Sequence, residues 1–185
     1  MKINSILCKA TLCSLFSSFP TAAGFACCRD DITTKEFHDA LLHKYTAMWA
    51  GNLSLIDDIF HPNVELHVDR FPSRTGKGST ATHVTNRTGL KDFITRSRAG
   101  WDEYYFQPIR TVAAEHTIAA RWIMHGILGA DFKTFPTPLK AGDPVTYNGT
   151  DFLVQDDCTG HIREVYIASD SISYFHTMNL TEITV

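Results

Sequence analysis

Proton transfer at carbon needs a base whose pKa has been lifted toward neutral, and an apolar pocket lifts a carboxyl by desolvating its charged form. Several side chains in this sequence qualify. Asp170 closes the last strand-like segment, where alternation puts Glu164, Tyr166, Ala168 and Asp170 on one face and Arg163, Val165, Ile167 and Ser169 on the other. If Tyr166 faces a cavity, so does Asp170; an Asp at a strand end serves equally well as a cap or turn residue. His125 stands in the apolar run Trp122-Ile-Met-His-Gly126, sharing a face with Arg121 and opposed to Trp122, Met124 and Leu128. A neutral imidazole there can donate to a substrate carbonyl or shuttle a proton, or it is a satisfied core or outer-face residue. Glu65, His67 and Asp69 share one side of a strand, opposite Val64, Leu66 and Val68. They form either a tuned acid/base unit, with Asp69 near the strand's mouth the best of the three, or a wet outer face. Asp151 lies on the Tyr147 face of its strand and is a second buried carboxyl if that face points inward, or equally a lone surface Asp. Tyr45, Trp49, Trp101, Tyr105, Trp122, Tyr147 and Tyr166 are candidates to line a ligand cavity, with hydroxyls orienting a carbonyl, although aromatic residues at such spacing usually build core.

The elements that must position these groups follow from periodicity. Thr33 and Glu36 have capping-box spacing, and Phe37, Leu41, Leu42, Tyr45, Met48 and Trp49 recur along one side of a helix that Gly51-Asn52 ends. A short second helix runs from Leu53 to Phe60 and stops before His61-Pro62. Val64 to Asp69 alternates as a half-buried strand, Pro72 to Thr88 reads as loop, and Gly89 to about Gly100 reads as a third helix. Four strands follow over Tyr104–Ala113, Thr117–Leu128, Pro144–Gln155 and His161–Asp170. Helices first and a run of antiparallel strands afterwards predict an α+β fold with helices on one face of a curved sheet. Which face of each strand is concave does not follow from periodicity.

Net charge is −3, with 17 Lys+Arg against 20 Asp+Glu, so there is no basic footprint for nucleic acid and no patch for a membrane surface. Residues 1–26 read as a secretory signal: Lys2 and Lys9, the apolar stretch Ala10 to Phe19, then small residues from Ala22 to Ala26. That leaves one domain over 27–185, with no membrane anchor, in the secretory lumen or outside the cell. Four Asn-x-Ser/Thr sequons, at Asn52, Asn86, Asn148 and Asn179, fit a glycoprotein. In an oxidising compartment Cys27 or Cys28 can bond Cys158, closing a loop of about 130 residues worth roughly 3–5 kcal/mol. The cysteines have no zinc-type spacing, and no dinucleotide or phosphate-loop glycine motif occurs. Neither a metal nor a cofactor is expected.

The order of elements and several strings resemble the SnoaL-like polyketide cyclase family, within the nuclear-transport-factor-two-like superfamily. The strings are Tyr45-Thr-Ala-Met-Trp-Ala-Gly-Asn-Leu53, Phe60-His-Pro-Asn-Val64, Gly89-Leu-Lys-Asp-Phe93, Ala119-Ala-Arg-Trp122 through Gly126, Gly142-Asp-Pro-Val-Thr-Tyr-Asn-Gly-Thr-Asp-Phe152, and Gly160-His-Ile-Arg-Glu-Val-Tyr-Ile-Ala-Ser-Asp170. The resemblance implies a cone-shaped domain, its N-terminal helices packed on the concave face of a curved mixed or antiparallel sheet around an apolar pocket. It also implies cofactor-free cyclisation, isomerisation or dehydration of a small hydrophobic secondary metabolite, an acidic residue near Asp170 as acid/base, and dimerisation through the convex face. A secreted binding or interaction protein on the same scaffold is the alternative.

Overall fold

Thr34, not Thr33, opens the first helix: its hydroxyl accepts the Phe37 backbone N–H at 3.2 Å, and α1 runs over Lys35–Trp49. Glu36 therefore sits one position too early to close a capping box. The computed structural model describes residues 28–69, 71–72, 79–80, 82–134 and 136–180; the expected signal segment and Cys27 lie outside them. α1 buries Leu41, Leu42, Tyr45, Met48 and Trp49, the three-to-four spacing read from the sequence, together with His38. Gly51, at φ +117°, takes the left-handed conformation that ends the helix and that other residues rarely adopt.

A 3₁₀ turn over Leu53–Leu55 and a four-residue α2, Ile56–Ile59, replace the single second helix expected. The first strand starts earlier than its alternation suggests, as β1 Phe60–Val68. Two short strands, β2 Phe71–Pro72 and β3 Ser79–Thr80, pair within the stretch read as loop. Asn86 accepts the Gly89 N–H at 2.8 Å and opens α3, Arg87–Arg98. Then come β4 Trp101–Ala114, β5 Thr117–Leu128, β6 Pro144–Gln155 and β7 Ile162–Ser169. A last helix that strand alternation hid, α4 Ser171–Thr177, follows.

The main sheet has the order β1-β7-β6-β5-β4, with β1 parallel to β7 and the other pairs antiparallel. It is a curved, unclosed mixed sheet of the α+β cone type. Helix α1 packs on β4, α3 on β1 and α4 on β6. The face turned to the helices carries Val64 and Leu66 of β1, Val165 and Ile167 of β7, Tyr147 and Leu153 of β6, and Ile118, Trp122 and Met124 of β5, all buried. Burying each of the large apolar side chains contributes about 1.5–3 kcal/mol. The alternation read from the sequence holds for these residues, and the helices settle which side is inside. It fails at Arg163, read onto the Val165 face but exposed, because the β6–β7 register shifts at Val154/Gln155 and Ile162 takes the inside.

Cys28 forms the bridge with Cys158, across a sequence separation of 130. The Arg29 N–H donates to the Cys158 carbonyl at 3.0 Å beside it, fixing the start of the described chain to the β6–β7 turn. Among the described residues, no helix is long and apolar enough to cross a membrane.

Candidate functional site

Asp151 is 4% exposed, on the inner face of β6, the central strand. Its partner across β5 is Ala120 and across β7 is Ile167, so neither neighbouring strand brings a charge to balance it. The one hydrogen bond comes from α1: the Tyr45 hydroxyl donates to Oδ2 at 2.6 Å. Oδ1 is buried with no hydrogen-bond partner. The Trp122 indole N–H also lacks a partner in hydrogen-bond geometry, yet faces the carboxylate closely enough to favour its charged form. Burial pushes Asp151 up from 3.8 to about 6, and the Tyr45 and Trp122 donors hold it back.

The carboxyl faces a cavity of about 70 Å³. Trp49, Phe93, Phe106, Trp122 and Ile167 supply apolar wall, while Tyr104 and Tyr147 bring hydroxyls. The aromatic rings interlock edge to face: Trp49 with Phe106 at 5.3 Å, Phe106 with Trp122 at 4.6 Å and Trp122 with Tyr147 at 5.6 Å. Trp122 lies over Gly149, its partner on β6, where any Cβ would collide with the indole. Burial raises the pKa values of Tyr45, Tyr104 and Tyr147, so all three stay neutral donors at ordinary pH. Arg98 steadies the wall from behind, its Nη1 donating to the Trp49 and Tyr104 carbonyls at 2.6 Å each.

Of the residues singled out in the sequence, Tyr45, Trp49, Trp122, Tyr147 and Asp151 converge here. The others do not. Asp170 is exposed and accepts the Ser173 N–H at 2.9 Å as the cap of α4. Tyr166 is 42% exposed on the outer face and donates to Glu164 at 2.7 Å. The face that holds them points away from the helices because Val165 and Ile167 take the inside. His125 is outside for the same reason, opposite Trp122 and Met124; its Nε2 bonds the Gln107 side chain at 3.0 Å and its ring stacks on Tyr105 at 5.1 Å. Asp69 is exposed just beyond β1, and His67 stacks on Tyr166 at 4.4 Å across the parallel pair. Tyr105 lies outside, and Trp101 packs against Tyr104 and Phe132 behind the wall.

Tyr104 and Phe106 are wall residues that sequence reasoning missed. Their signal was the alternation of β4, in which either of two adjacent tyrosines could take the inner face. A larger open depression of about 660 Å³, beside the Leu128–Ala141 segment, has no carboxyl, imidazole or phenol among the residues lining it. No group of three His, Cys, Asp or Glu side chains that could hold a metal gathers among the described residues.

The family model for the SnoaL-like domain matches residues 42–165. No curated protein matches the chain. Among solved structures, IdmH from Streptomyces antibioticus, described as a candidate polyketide cyclase, superposes with a TM-score of 0.60 at 16% identity, covering 76% of this chain and 97% of its own. TsrD from Streptomyces laurentii gives a TM-score of 0.62 at 14% identity, covering 79% and 97%. AclR from Streptomyces galilaeus, described as a candidate hydroxylase, gives 0.59 at 15%, covering 78% and 96%. At such identities these likenesses establish the fold, and a fold of this kind hosts more than one chemistry.

Proposed function

Because this chain belongs to the SnoaL-like domain family, we propose that it transfers a proton on a small hydrophobic substrate, with Asp151 as the acid/base. The observation that carries the reading is a carboxyl held in an aromatic cavity with Oδ2 bound to Tyr45 and Oδ1 unpartnered. At a pKa of about 6 the group is mostly ionised at neutral pH while remaining a far better base than an exposed aspartate. Oδ1 takes a proton from carbon beside a substrate carbonyl, and the carbonyl oxygen gains charge. A Tyr104 or Tyr147 hydroxyl then stabilises that charge by donating to it. Returning the proton elsewhere on the same skeleton gives isomerisation. Ring closure follows when the enolate carbon adds to a second carbonyl of the substrate, whose C=O π bond breaks and whose oxygen takes the proton from Asp151. Dehydration follows when the enolate expels a β-hydroxyl that leaves as water with that proton. A substrate that carries its own carbonyl needs no cofactor for any of these. We further place the protein in the secretory pathway, a reading supported by the leader-like segment, the four sequons and the Cys28–Cys158 bridge.

The test is hydrogen–deuterium exchange at the α-carbon of a panel of hydrophobic ketones in heavy water. Wild type should accelerate exchange for members that fit, and Asp151→Asn should lose about 100-fold or more of it. Asp170→Asn should keep it. Equal exchange by Asp151→Asn and wild type refutes the assignment. The cavity volume of about 70 Å³, against the roughly 300–1,000 Å³ usual for ligand sites, favours a second reading in which the fold binds without transforming. Saturable binding by Trp fluorescence with no exchange for any bound ketone would select it.

A further inference from the structure

Arg98 is the last residue of α3, where a basic side chain suits the carbonyl end of a helix. Its guanidinium is committed elsewhere. Nη1 donates to the Trp49 carbonyl of α1 and to the Tyr104 carbonyl of β4, at 2.6 Å each, so one half-buried cation joins the two elements that carry these cavity residues. Gly51 makes room for it: a Cβ there would stand 3.1, 3.2 and 3.3 Å from Nη2, Cζ and Nε.

The clamp is also charged and uncompensated. Both acceptors are neutral carbonyls, and among the described residues no carboxylate lies within ion-pair distance of Arg98. Its Cζ lies over the Tyr104 ring, 5.6 Å from the centre. Tyr104 is buried, and its side chain lines the Asp151 cavity. Burial pushes this phenol up, while the Tyr147 hydroxyl and the Arg98 charge hold it back. No cation acts on Tyr147, which burial and the neighbouring Tyr104 and Tyr174 push up. Of the two phenols in the cavity wall, Tyr104 is the one backed by a positive charge.

Resting on the proton-transfer reading above, we propose that Arg98 is a positioning residue for that reaction, fixing Tyr104 as the donor to the substrate oxygen and strengthening it with an uncancelled positive charge. As Asp151 Oδ1 takes the proton from carbon, negative charge moves onto the carbonyl oxygen and the Tyr104 hydrogen bond tightens in step. The guanidinium behind the ring favours that charged state over the neutral bound ketone, so its effect falls on turnover and not on binding. Arg98 itself touches neither the substrate nor Asp151. From 5.6 Å at the ring centre, the distance to a substrate oxygen held by the hydroxyl comes to roughly 8–10 Å, where unit charges at an effective dielectric constant of about 20 give a rate factor of about 10–30.

The experiment separates charge from geometry. Arg98→Gln keeps a hydrogen-bond donor without the charge, Arg98→Lys keeps the charge, and Arg98→Met is the second neutral variant if the glutamine chain does not fold. A fluorinated tyrosine at position 104, whose phenol is more acidic, brings the titration into a range the folded protein survives, and fluorine NMR follows it with no ligand present. Arg98→Gln should weaken this acid by about 10-fold or more, and Arg98→Lys should recover most of the loss. In α-carbon exchange with butanone and cyclopentanone as probes, Arg98→Gln should lower kcat by about 10–30-fold at unchanged KM, and should cost nothing further in a Tyr104→Phe background. Equal titration of position 104 in wild type and Arg98→Gln overturns the proposal. So does a lysine variant no better than the glutamine one, or an equal loss of turnover with and without the Tyr104 hydroxyl. The proton-transfer reading fails separately, since exchange that survives Asp151→Asn refutes that reading and leaves the shift at position 104 in place.

Discussion

Asp151→Asn isolates the energetic cost of the buried carboxyl. Burial lifts its pKa from 3.8 to about 6, so the folded chain holds this proton more tightly than the unfolded chain does. The stabilisation that comes with the proton is fully present below about pH 3.8 and is lost as pH rises through about 6. At about 1.4 kcal/mol per unit the whole effect is about 3 kcal/mol, of which about 2 kcal/mol falls between about pH 4.5 and about pH 8. Asparagine keeps an acceptor for Tyr45 but brings an amide N–H pair into a site with little to receive it, at a cost of about 1–3 kcal/mol that does not vary with pH. Urea unfolding of both proteins across this range, followed by circular dichroism, gives the difference in stability at each pH and cancels every titration the two share. The variant should gain on wild type by about 2 kcal/mol from the acid to the alkaline end. A difference that stays flat with pH would show that the carboxyl is solvated, and would remove the basis for assigning it proton transfer.

Four further outcomes follow from the same geometry. Tyr45→Phe removes the donor that favours the charged carboxylate and should raise the Asp151 pKa above about 6, read by carbon NMR of the carboxyl. Cys158→Ser, which leaves neither Cys27 nor Cys28 a partner across the loop, should cost about 2–5 kcal/mol in urea unfolding, and a reductant should reproduce that loss in wild type without affecting the variant. Asp170→Ala should cost about 1 kcal/mol through loss of the α4 cap, Asp170→Asn much less, and the Asp151 titration should stay where it is in both. Gly149→Ala must displace the Trp122 indole; it should destabilise by about 1–3 kcal/mol or more and redshift the tryptophan emission as the ring leaves its buried position.

The sequence made the strands legible because alternation is a two-fold pattern that survives without knowledge of the fold. The limits of β5 and β6 fall where the pattern and its turn residues put them. Alternation is symmetric, however, and does not say which face meets the helices. Asp151 and Asp170 therefore looked alike as strand carboxyls, although one is buried and the other exposed. Asp170-Ser-Ile-Ser173 also has the spacing of a helix cap, and that signal was masked by the strand pattern running into it. The adjacent pair Tyr104-Tyr105 posed the same difficulty: one phenol had to be inside, and only the placement of β4 against α1 and Trp101 selects Tyr104.

The bridge between Cys28 and Cys158 sits past the Gln155 end of β6, while Asp151 lies four residues back, roughly 13 Å of strand away. The cavity extends from there toward the other pole, where Val68 and Ser169 close their strands. An affinity handle or immobilising linker attached ahead of residue 28 is thus tethered at the blunt pole. A support coated with the protein through that handle would hold it by this end of the sheet and leave the end formed by Val68 and Ser169 turned to the solution.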